Sequence, residues 1–502
     1  MVKEVLTIHV GQAGCQVGSK CWELFCLEHQ INPNGTRPHI PDEELDDGKD
    51  HAFESFFSET SHGQFVPRAI FVDTDPTTKH EINQGTYGRL FHPDNVIGYN
   101  QDCANNFFVG RTFASHFQIK EDVMEKVRKA VDNCQNLQGF FFFHAFGGGT
   151  GSGIGIDLLD EIRTHFAKKN IIEPVIYPSY KYSSCIVEPY NCIFATHYSR
   201  DLVDLSLMFD NEASYRMCQT NLAVKNPSFD HINRLIAQCI SNCTGSVRYK
   251  SELNATLPEI VTNLVPMGQY RYPIVSLSPV RHPQRGAHEQ FTTAEIITDL
   301  FEERNLLCDC GQYLKLNRYL AAVILLRGED EESEVAPDLN ATSGSAKGGG
   351  GSAKKRPIQV NTALGALRDM TNPKGSHRKP IRFLPWMESG GFKVGVVDEP
   401  PHVTTDENGD KFMASSKRQG CMIGNTTAVR QIFVRQYTKF LKLFYHKAYV
   451  WQFLDANGEI DLFYEAREGV RQIIDNYENL LKECIQVEEQ GPGDSTVTLK
   501  QG

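Results

Sequence analysis

The sequence predicts an α/β protein whose first domain is a doubly wound parallel sheet, and three observations predict it. Apolar strand-like runs alternate with helical patterns through the amino-terminal half. The runs are apolar throughout, as expected for strands covered on both faces of a sheet. Two of the runs lead directly into glycine-rich turns, GQAGCQVG and GGGTGSG.

The predicted elements of the first domain follow in order. VLTIHV at 5–10 is a strand that ends in GQAGCQVG, and the helix SKCWELFCLEHQI comes after it. RAIFVDTDP is the next strand, and GFFFFHAF at 139–146 runs into GGGTGSG and the helix IGIDLLDEIRTHFAKK. PVIYP is the fourth strand. This alternation of strand and helix is typical of parallel sheets.

The later elements are fewer and more separated. Apolar residues at helical spacing over 231–243 predict a helix that links the first domain to a second one, which carries the strands YPIVSLSPV and YLAAVILLRG. VNTALGALRDM predicts a short helix, and IRFLPW and GFKVGVV predict strands. Two long helices follow near the end, the last from about Glu465.

The composition excludes several classes of protein. The 502 residues are 40% hydrophobic and 23% charged, which excludes a disordered or collagen-like chain. The net charge of −11 disfavours a nucleic-acid partner, because an acidic surface repels phosphates. No apolar run reaches the roughly 18 residues of a membrane span, and MVKEVLTIHVGQ does not resemble a signal peptide. We therefore expect a cytosolic protein with no membrane contact.

The fourteen cysteines are scattered, and most fall in apolar runs. The closest pair, Cys308 and Cys310, has C-x-C spacing without the second half-site that zinc usually requires. We expect buried free thiols.

The two glycine-rich turns are the strongest chemical signal. Glycines at the start of a helix let backbone N–H groups approach a phosphate closely, and the hydroxyls of Thr150 and Ser152 add donors. Neither the Walker lysine nor the dinucleotide G-x-G-x-x-G spacing is present. A single turn of this kind also fits close helix–sheet packing. Two such turns on the carboxyl side of one sheet favour a mononucleotide site.

Asp73 and Asp75 follow a strand in FVDTDPT. Carboxylates at this edge of the sheet suit Mg²⁺, held directly or through water. An acidic residue at a strand end is also a common turn or cap residue, and the residues alone leave both interpretations open.

The turns belong to a longer series of motifs. The chain carries, in this order, HVGQAGCQVG, VPRAIFVDTDPT, YGRLFHPDNV, GGGTGSG, EPYN, DNEA, NRLI, TNLVP, GFKVGV, NTTA and YEAREG. The series resembles the tubulin family and spans nearly the whole chain. The resemblance implies a Rossmann-like GTP-binding domain, an α+β intermediate domain and a C-terminal helical hairpin, with GTP and Mg²⁺ as cofactors. We expect these parts at 1–210, 251–400 and 401–486, with a core helix and connection at 211–250 and a flexible tail at 487–502.

The resemblance also implies which residues meet the nucleotide. Asp75 would hold Mg²⁺ directly or through water, with Asp73 behind it. Phe229 would stack on the guanine between Asn211 and Asn233. The complete implied nucleotide set is Gly11, Gln12, Ala13, Cys15, Gln16, Asp102, Ala104, Asn105, Gly147, Gly148, Gly149, Thr150, Gly151, Ser152, Gly153, Ser183, Ser184, Glu188, Asn211, Phe229 and Asn233.

Two features resemble the alpha class of the family: Glu259, where beta chains carry lysine, and the long loop at 401–421. Taken locally, Pro258 and Glu259 are an ordinary helix start. The resemblance implies that Glu259 instead polarises the water that attacks GTP on the next subunit. The implied partners are a beta-tubulin-like chain, lateral tubulin neighbours and microtubule-associated proteins, in a microtubule of the cytoplasm, a cilium or a flagellum.

The sequence departs from the family in several places. Asp75 stands where alpha chains have Glu, Cys103 replaces an alanine, and Phe229 replaces a tyrosine. A segment at about 328–357 is acidic, then Gly/Ser-rich, then basic, and predicts a solvated insertion. The tail has few acids, so attraction of basic partners should be weaker. Two alternatives follow: a tubulin-like GTP-binding regulatory or capping protein outside the lattice, and a metabolic enzyme on a dinucleotide fold.

Overall fold

A computed structural model describes residues 3–38, 52–183, 185–249, 256–286, 291–311, 318–330, 356–372, 381–387, 391–405 and 411–490. Most of the predicted insertion, the end of the predicted tail and Ser184 lie outside the described residues.

The amino-terminal half is a parallel sheet in the order β5-β4-β1-β6-β7-β8, which is the doubly wound arrangement. Every neighbouring pair in this half is parallel, and the strands are largely buried. Two short antiparallel strands, β2 and β3, form a separate hairpin. The strands are β1 (Glu4–Val10), β2 (Phe57–Glu59), β3 (Phe65–Pro67), β4 (Ala69–Asp73), β5 (Val96–Gly98), β6 (Leu137–Ala145), β7 (Asn170–Tyr177) and β8 (Leu205–Asp210).

The sheet continues beyond β8 into the second half of the chain. The order there is β8-β9-β13-β10-β11, and β12 pairs with β10 in parallel. β13 is antiparallel to both β9 and β10, so this half is mixed. The strands are β9 (Ile274–Ser278), β10 (Tyr319–Asp330), β11 (Arg356–Pro357), β12 (Phe392–Val397) and β13 (Arg418–Thr426).

Helices connect the strands and cover both faces of the sheet. The described helices are α1 (Gly11–Glu28), α2 (Pro76–Gln84), α3 (Phe107–His116), α4 (Ile119–Asp132), α5 (Gly155–His165), α6 (Glu188–Ser199), α7 (Asn211–Thr220), α8 (Phe229–Arg248), α9 (Leu257–Leu264), α10 (Pro283–Gly286), α11 (Thr293–Leu300), α12 (Val360–Thr371), α13 (Arg430–Tyr445), α14 (Val450–Asp455) and α15 (Ile460–Gln490). No helix among the described residues is long and apolar enough to cross a membrane.

The predicted link helix is α8, and it is almost entirely buried. It packs against α1 in the first half and against β10 and β13 in the second. The two long C-terminal helices, α13 and α15, pack on each other and on α6. The predicted α/β class is therefore confirmed, with helices layered on a continuous sheet.

Two local predictions were wrong. IRFLPW is not a strand: Phe383 makes a single bridge to Tyr319, and a short 3-10 turn follows at Pro385–Met387. GQAGCQVG is not a loop before a helix, because α1 begins at Gly11 itself. The motif therefore forms the first turns of α1.

The cysteine prediction agrees with the structure. All fourteen thiols are free, and twelve of them are buried.

Candidate functional site

A cleft of about 390 Å³ opens at the carboxyl edge of the parallel strands. The ends of β1, β6 and β7 and the first turns of α1, α6, α7 and α8 surround it. This is the edge at which doubly wound sheets bind ligands. The lining comprises Val10, Gly11, Gln12, Ala13, Gln16, Asp73, Asp75, Asp102, Asn105, Ala145, Gly147, Gly148, Gly149, Thr150, Gly151, Ile176, Pro178, Ser179, Tyr182, Glu188, Asn211, Phe229 and Asn233.

The two glycine-rich turns meet at the floor of the cleft. Gly11 opens α1 with φ +73°, and a Cβ added there would lie 3.0 Å from the amide nitrogen of Gly151. α1 has no side-chain cap and no acidic residue in its first turn. Its first backbone N–H groups therefore offer hydrogen bonds and a partial positive charge to an anion.

The second turn is shaped by a π-helical segment, Thr150–Ile154, that leads into α5. The hydroxyl of Ser152 donates to the carbonyl of Gly148 within the turn. A Cβ on Gly148 would meet nothing within 4 Å, because this glycine faces the open cleft. Thr150 Oγ1 lies 2.8 Å from Thr74 Oγ1, which ties the turn to the end of β4.

Four carboxylates line the cleft: Asp73, Asp75, Asp102 and Glu188. No Lys or Arg occurs among the described residues that line it. Such a cleft repels a free anion unless backbone N–H groups and a bound cation compensate the charge. A phosphate ligand held here therefore calls for a divalent cation.

Asp73 and Asp75 differ in whether their carboxylate oxygens are already used in hydrogen bonds. Asp75 caps α2, with its Oδ1 accepting from Thr77 N at 2.8 Å, so the cap interpretation is correct for this oxygen. Asp73 is 4% exposed, and its Oδ1 accepts from Thr74 N at 2.8 Å. Its Oδ2 has no hydrogen-bond partner among the described residues, and burial raises the pKa of this carboxyl. A buried carboxylate oxygen without a donor is suited to a cation or its water.

Other residues that line the cleft carry aromatic rings and amide groups. Phe229 is 56% exposed, and its ring lies 6.3 Å from that of Tyr215, which in turn contacts Tyr182. Asn211 is the first residue of α7, and Asn233 is the fifth residue of α8. Flat rings beside amide groups suit a purine base.

A buried acid caps the helix that begins at Asn211. Asp210 caps α7 by accepting from Glu212 N at 2.9 Å. Burial raises the pKa of Asp210 to about 7.

Seven of the residues named from the sequence are not among the lining residues. Cys15 lies below the first turn, its Sγ 3.6 Å from the carbonyl of His9, and burial raises its pKa. Gly153 packs against α3, and Ser183 donates to Glu188 Oε2 at 2.6 Å. The others are Ala104, Ser152, Ser184, which is outside the described residues, and Glu259.

The sequence also missed lining residues. Val10, Ala145 and Ile176 are strand ends whose apolar character gives no functional signal. Pro178, Ser179 and Tyr182 belong to the loop after β7. That loop follows a predicted strand, and its position alone could have identified it.

Glu259 lies in a different place. It sits in the first turn of α9, where Thr256 and Glu259 cap each other reciprocally. Lys393 Nζ on β12 donates to Glu259 Oε2 at 2.8 Å. This hydrogen bond lowers the pKa of Glu259, whose side chain is 48% exposed. The residue is therefore an ionised carboxylate at the surface.

Sequence comparisons identify the family of the chain. Residues 4–219 match the GTPase domain of the Tubulin/FtsZ family, and residues 269–345 and 367–437 match the tubulin C-terminal domain. The chain is a GTP-binding member of the tubulin family with a GTPase domain. It is alpha-like: it is 38% identical over 479 residues to the tubulin alpha-1 chain of Arabidopsis thaliana, covering 95% of this chain and 97% of that one.

Proposed function

We propose that this chain is a structural subunit of microtubules that pairs with a beta-tubulin-like chain and supplies Glu259 in trans to the GTP of the neighbouring subunit. The position of Glu259 supports this proposal most directly. The carboxylate is exposed, ionised and absent from the lining of its own cleft. A group placed in this way is available to a second chain.

Two contacts hold Glu259 in its orientation. The backbone N–H of Thr256 reaches Glu259 Oε2 at 3.4 Å, and Lys393 Nζ reaches the same oxygen at 2.8 Å. Phosphoryl transfer needs positioning and charge more than covalent chemistry from the protein. A fixed carboxylate can orient and polarise an attacking water without becoming protonated.

The chain's own cleft binds GTP. Backbone N–H groups of Gly11 to Ala13 and of Gly147 to Gly151 receive the phosphates, while Asn211, Phe229 and Asn233 hold the guanine. Asp73 and Asp75 are the residues that would hold Mg²⁺, which compensates phosphate charge.

Because the catalytic carboxylate comes from a neighbouring chain, hydrolysis of the GTP bound in this chain's own cleft depends on its partner. A beta-like partner with lysine at the position of Glu259 supplies no carboxylate to this cleft. The GTP bound here is then hydrolysed little and exchanges slowly. Only the partner's GTP turns over with assembly.

The remaining partners and the location follow from the same proposal. Lateral contacts are made with other tubulin chains, and microtubule-associated proteins bind the outer helices. The polymer belongs to the cytoplasmic cytoskeleton, and a cilium or flagellum is a specialised array into which such a divergent chain fits.

The test is polymer-coupled GTP hydrolysis with Glu259→Gln. Glutamine preserves the reciprocal cap but removes the charge. Glu295→Gln is a matched control, because Glu295 forms the same reciprocal cap with Thr292 at the start of α11. We expect Glu259→Gln to slow phosphate release by about 100-fold or more, as for loss of an electrostatic catalytic group, and Glu295→Gln to leave it unchanged.

Two outcomes oppose the proposal. If both variants hydrolyse GTP at the same rate, Glu259 has no role in the reaction. Failure of the wild-type chain to enter filaments, with normal GTP binding, favours the regulatory or capping protein instead.

A further inference from the structure

Three cysteine side chains meet in the interior, away from the nucleotide cleft. Cys239 and Cys243 lie one turn apart on α8, and Cys421 lies on β13, which packs against that helix. The Sγ of Cys421 is 3.7 Å from that of Cys239 and 3.3 Å from that of Cys243. All three sulfur atoms lie within 4.8 Å of one another. We call this group the thiol triangle.

The size of the thiol triangle is close to that of a metal site. A metal–sulfur bond of about 2.3 Å puts the sulfur atoms of a three-coordinate ion about 4 Å apart. The two separations from Cys421 Sγ, 3.7 and 3.3 Å, are shorter than this by about 0.3 and 0.7 Å. Small side-chain rotations would therefore open the triangle around an ion without moving α8 or β13.

The three sulfur ligands of the thiol triangle favour one kind of metal ion over others. Within the described part of the chain, no fourth Cys, His, Asp or Glu joins the group. Structural zinc takes four such ligands, and Mg²⁺ or Ca²⁺ takes oxygen. Thiolates without harder ligands favour Cu(I).

We propose that Cys239, Cys243 and Cys421 bind one Cu(I) ion. The ion enters as Cu(I), so no electron is transferred. One thiol proton is released as the ion binds, so the triangle with its ion carries no net charge. Release of a second proton would bury a net negative charge, which is costly in an apolar interior. The bound ion ties α8 to β13 and so links the two halves of the chain.

The burial of the site determines when it is filled. Cys239 and Cys421 are fully buried, and Cys243 is 4% exposed. An ion must then enter as the chain folds, and it exchanges slowly afterwards. The test therefore uses protein that has folded in the presence of copper.

The experiment is metal analysis of the full chain, expressed with added copper and purified without oxygen. We expect about one copper per chain, with X-ray absorption showing sulfur ligands alone. Cys421→Ala should lower the copper content at least tenfold. Cys26→Ala, which removes a buried thiol of α1 outside the triangle, should retain the ion. Bound guanine nucleotide reports folding in each variant.

Several results overturn the proposal. These are wild-type protein without copper, copper that persists in Cys421→Ala, zinc in place of copper, or a disulfide within the triangle. If Cys421→Ala does not fold, Cys239→Ile and Cys243→Ile keep the apolar face of α8 and give the same test. Copper retained at the wild-type level in both of these variants contradicts the site.

Discussion

At the scale of single residues, the contact between Glu259 and Lys393 shapes the proposed chemistry. The ion pair is partly exposed, so its contribution to stability is small. Its effect on the carboxylate matters more. Lys393 keeps Glu259 ionised at lower pH than an isolated glutamate, and the ionised form attracts the hydrogen atoms of a water more strongly than the protonated form does.

The first prediction concerns Lys393→Met. Without the ammonium, the pKa of Glu259 returns upward toward its ordinary value, so protonation begins at higher pH. We expect the acid limb of the pH–rate profile of polymer-coupled hydrolysis to move to higher pH. Lys126→Met, which breaks the exposed pair with Asp94, is the control. An unchanged acid limb in Lys393→Met would show that Glu259 does not govern the profile.

The second prediction concerns Phe229. Its ring is more than half exposed at the cleft and stands beside the two asparagines proposed to hold the base. Phe229→Ala should weaken GTP binding by about 5- to 150-fold, the range for loss of one base–aromatic stack. Phe117→Ala, an exposed ring at the end of α3, should bind normally. If nucleotide titration gives equal affinities for the wild type, Phe229→Ala and Phe117→Ala, then Phe229 does not stack on the base.

At the scale of elements, the junction between β1 and α1 shows most clearly why the proposed phosphate site requires glycine. The chain turns from strand to helix at Gly11 without a connecting loop, and the second glycine turn packs against it. The positive φ of Gly11 and the nearness of Gly151 both require the absence of a side chain.

The third prediction compares Gly11→Ala with Gly63→Ala. Both glycines have φ near +70°, but an added Cβ at Gly63 meets nothing within 4 Å. The left-handed conformation costs each alanine about 1–2 kcal/mol. Gly11→Ala should in addition separate the two turns and abolish nucleotide binding, whereas Gly63→Ala should retain it. Nucleotide content of the purified proteins distinguishes them, and normal content in Gly11→Ala would contradict the role of the close approach.

Elements with a clear apolar pattern were predictable, and the exceptions have physical causes. VLTIHV and the stripe over 231–243 became β1 and α8, because burial on both faces or on one helical face leaves a periodic signal. IRFLPW has strand-like residues, yet only Phe383 is positioned to pair with β10. The β2–β3 hairpin was missed because its strands are three residues each.

At the scale of the whole molecule, a buried ion network joins the two halves. Glu28 of α1 accepts from Arg248 of α8 at 2.6 Å and from Arg327 of β10 at 2.7 Å. Ser241 donates to the same carboxylate at 2.7 Å. All three charged side chains are fully buried. Removing the Glu28 carboxylate leaves Arg248 and Arg327 with hydrogen bonds to Ser241 and to backbone carbonyls, but without this buried counter-charge.

The fourth prediction is that Glu28→Gln lowers the free energy of unfolding by about 3–5 kcal/mol, as expected for a broken buried pair. Burial alone would raise the pKa of Glu28, but the two guanidiniums and the Ser241 hydroxyl outweigh it and hold the pKa well below its ordinary 4.5. Its contribution is therefore complete above pH 4.5 and is lost as the pH falls toward the folded value.

Chemical denaturation at several pH values checks the fourth prediction. The difference between the wild type and Glu28→Gln should shrink as the pH falls below 4.5. Glu125→Gln, which breaks an exposed pair with Lys129, should leave the unfolding midpoint unchanged at every pH. A constant difference across the range would contradict the linkage.

The site was predictable where its residues stand in contiguous motifs, and less so where separate segments meet. Gly147 to Gly151 and Gly11 to Ala13 carry local signals. The thiol triangle shows the opposite case. Cys239 and Cys243 have helical spacing, but Cys421 lies 178 residues further along, and only the packing of β13 on α8 brings it near.

The most direct test of the central claim is a structure of filaments formed by this chain with a beta-tubulin-like partner and a non-hydrolysable GTP analogue. The account predicts that the Glu259 carboxylate lies within hydrogen-bond distance of the water beside the partner's γ-phosphate. A filament in which Glu259 faces solvent, or remains paired only with Lys393 away from any nucleotide, would contradict it.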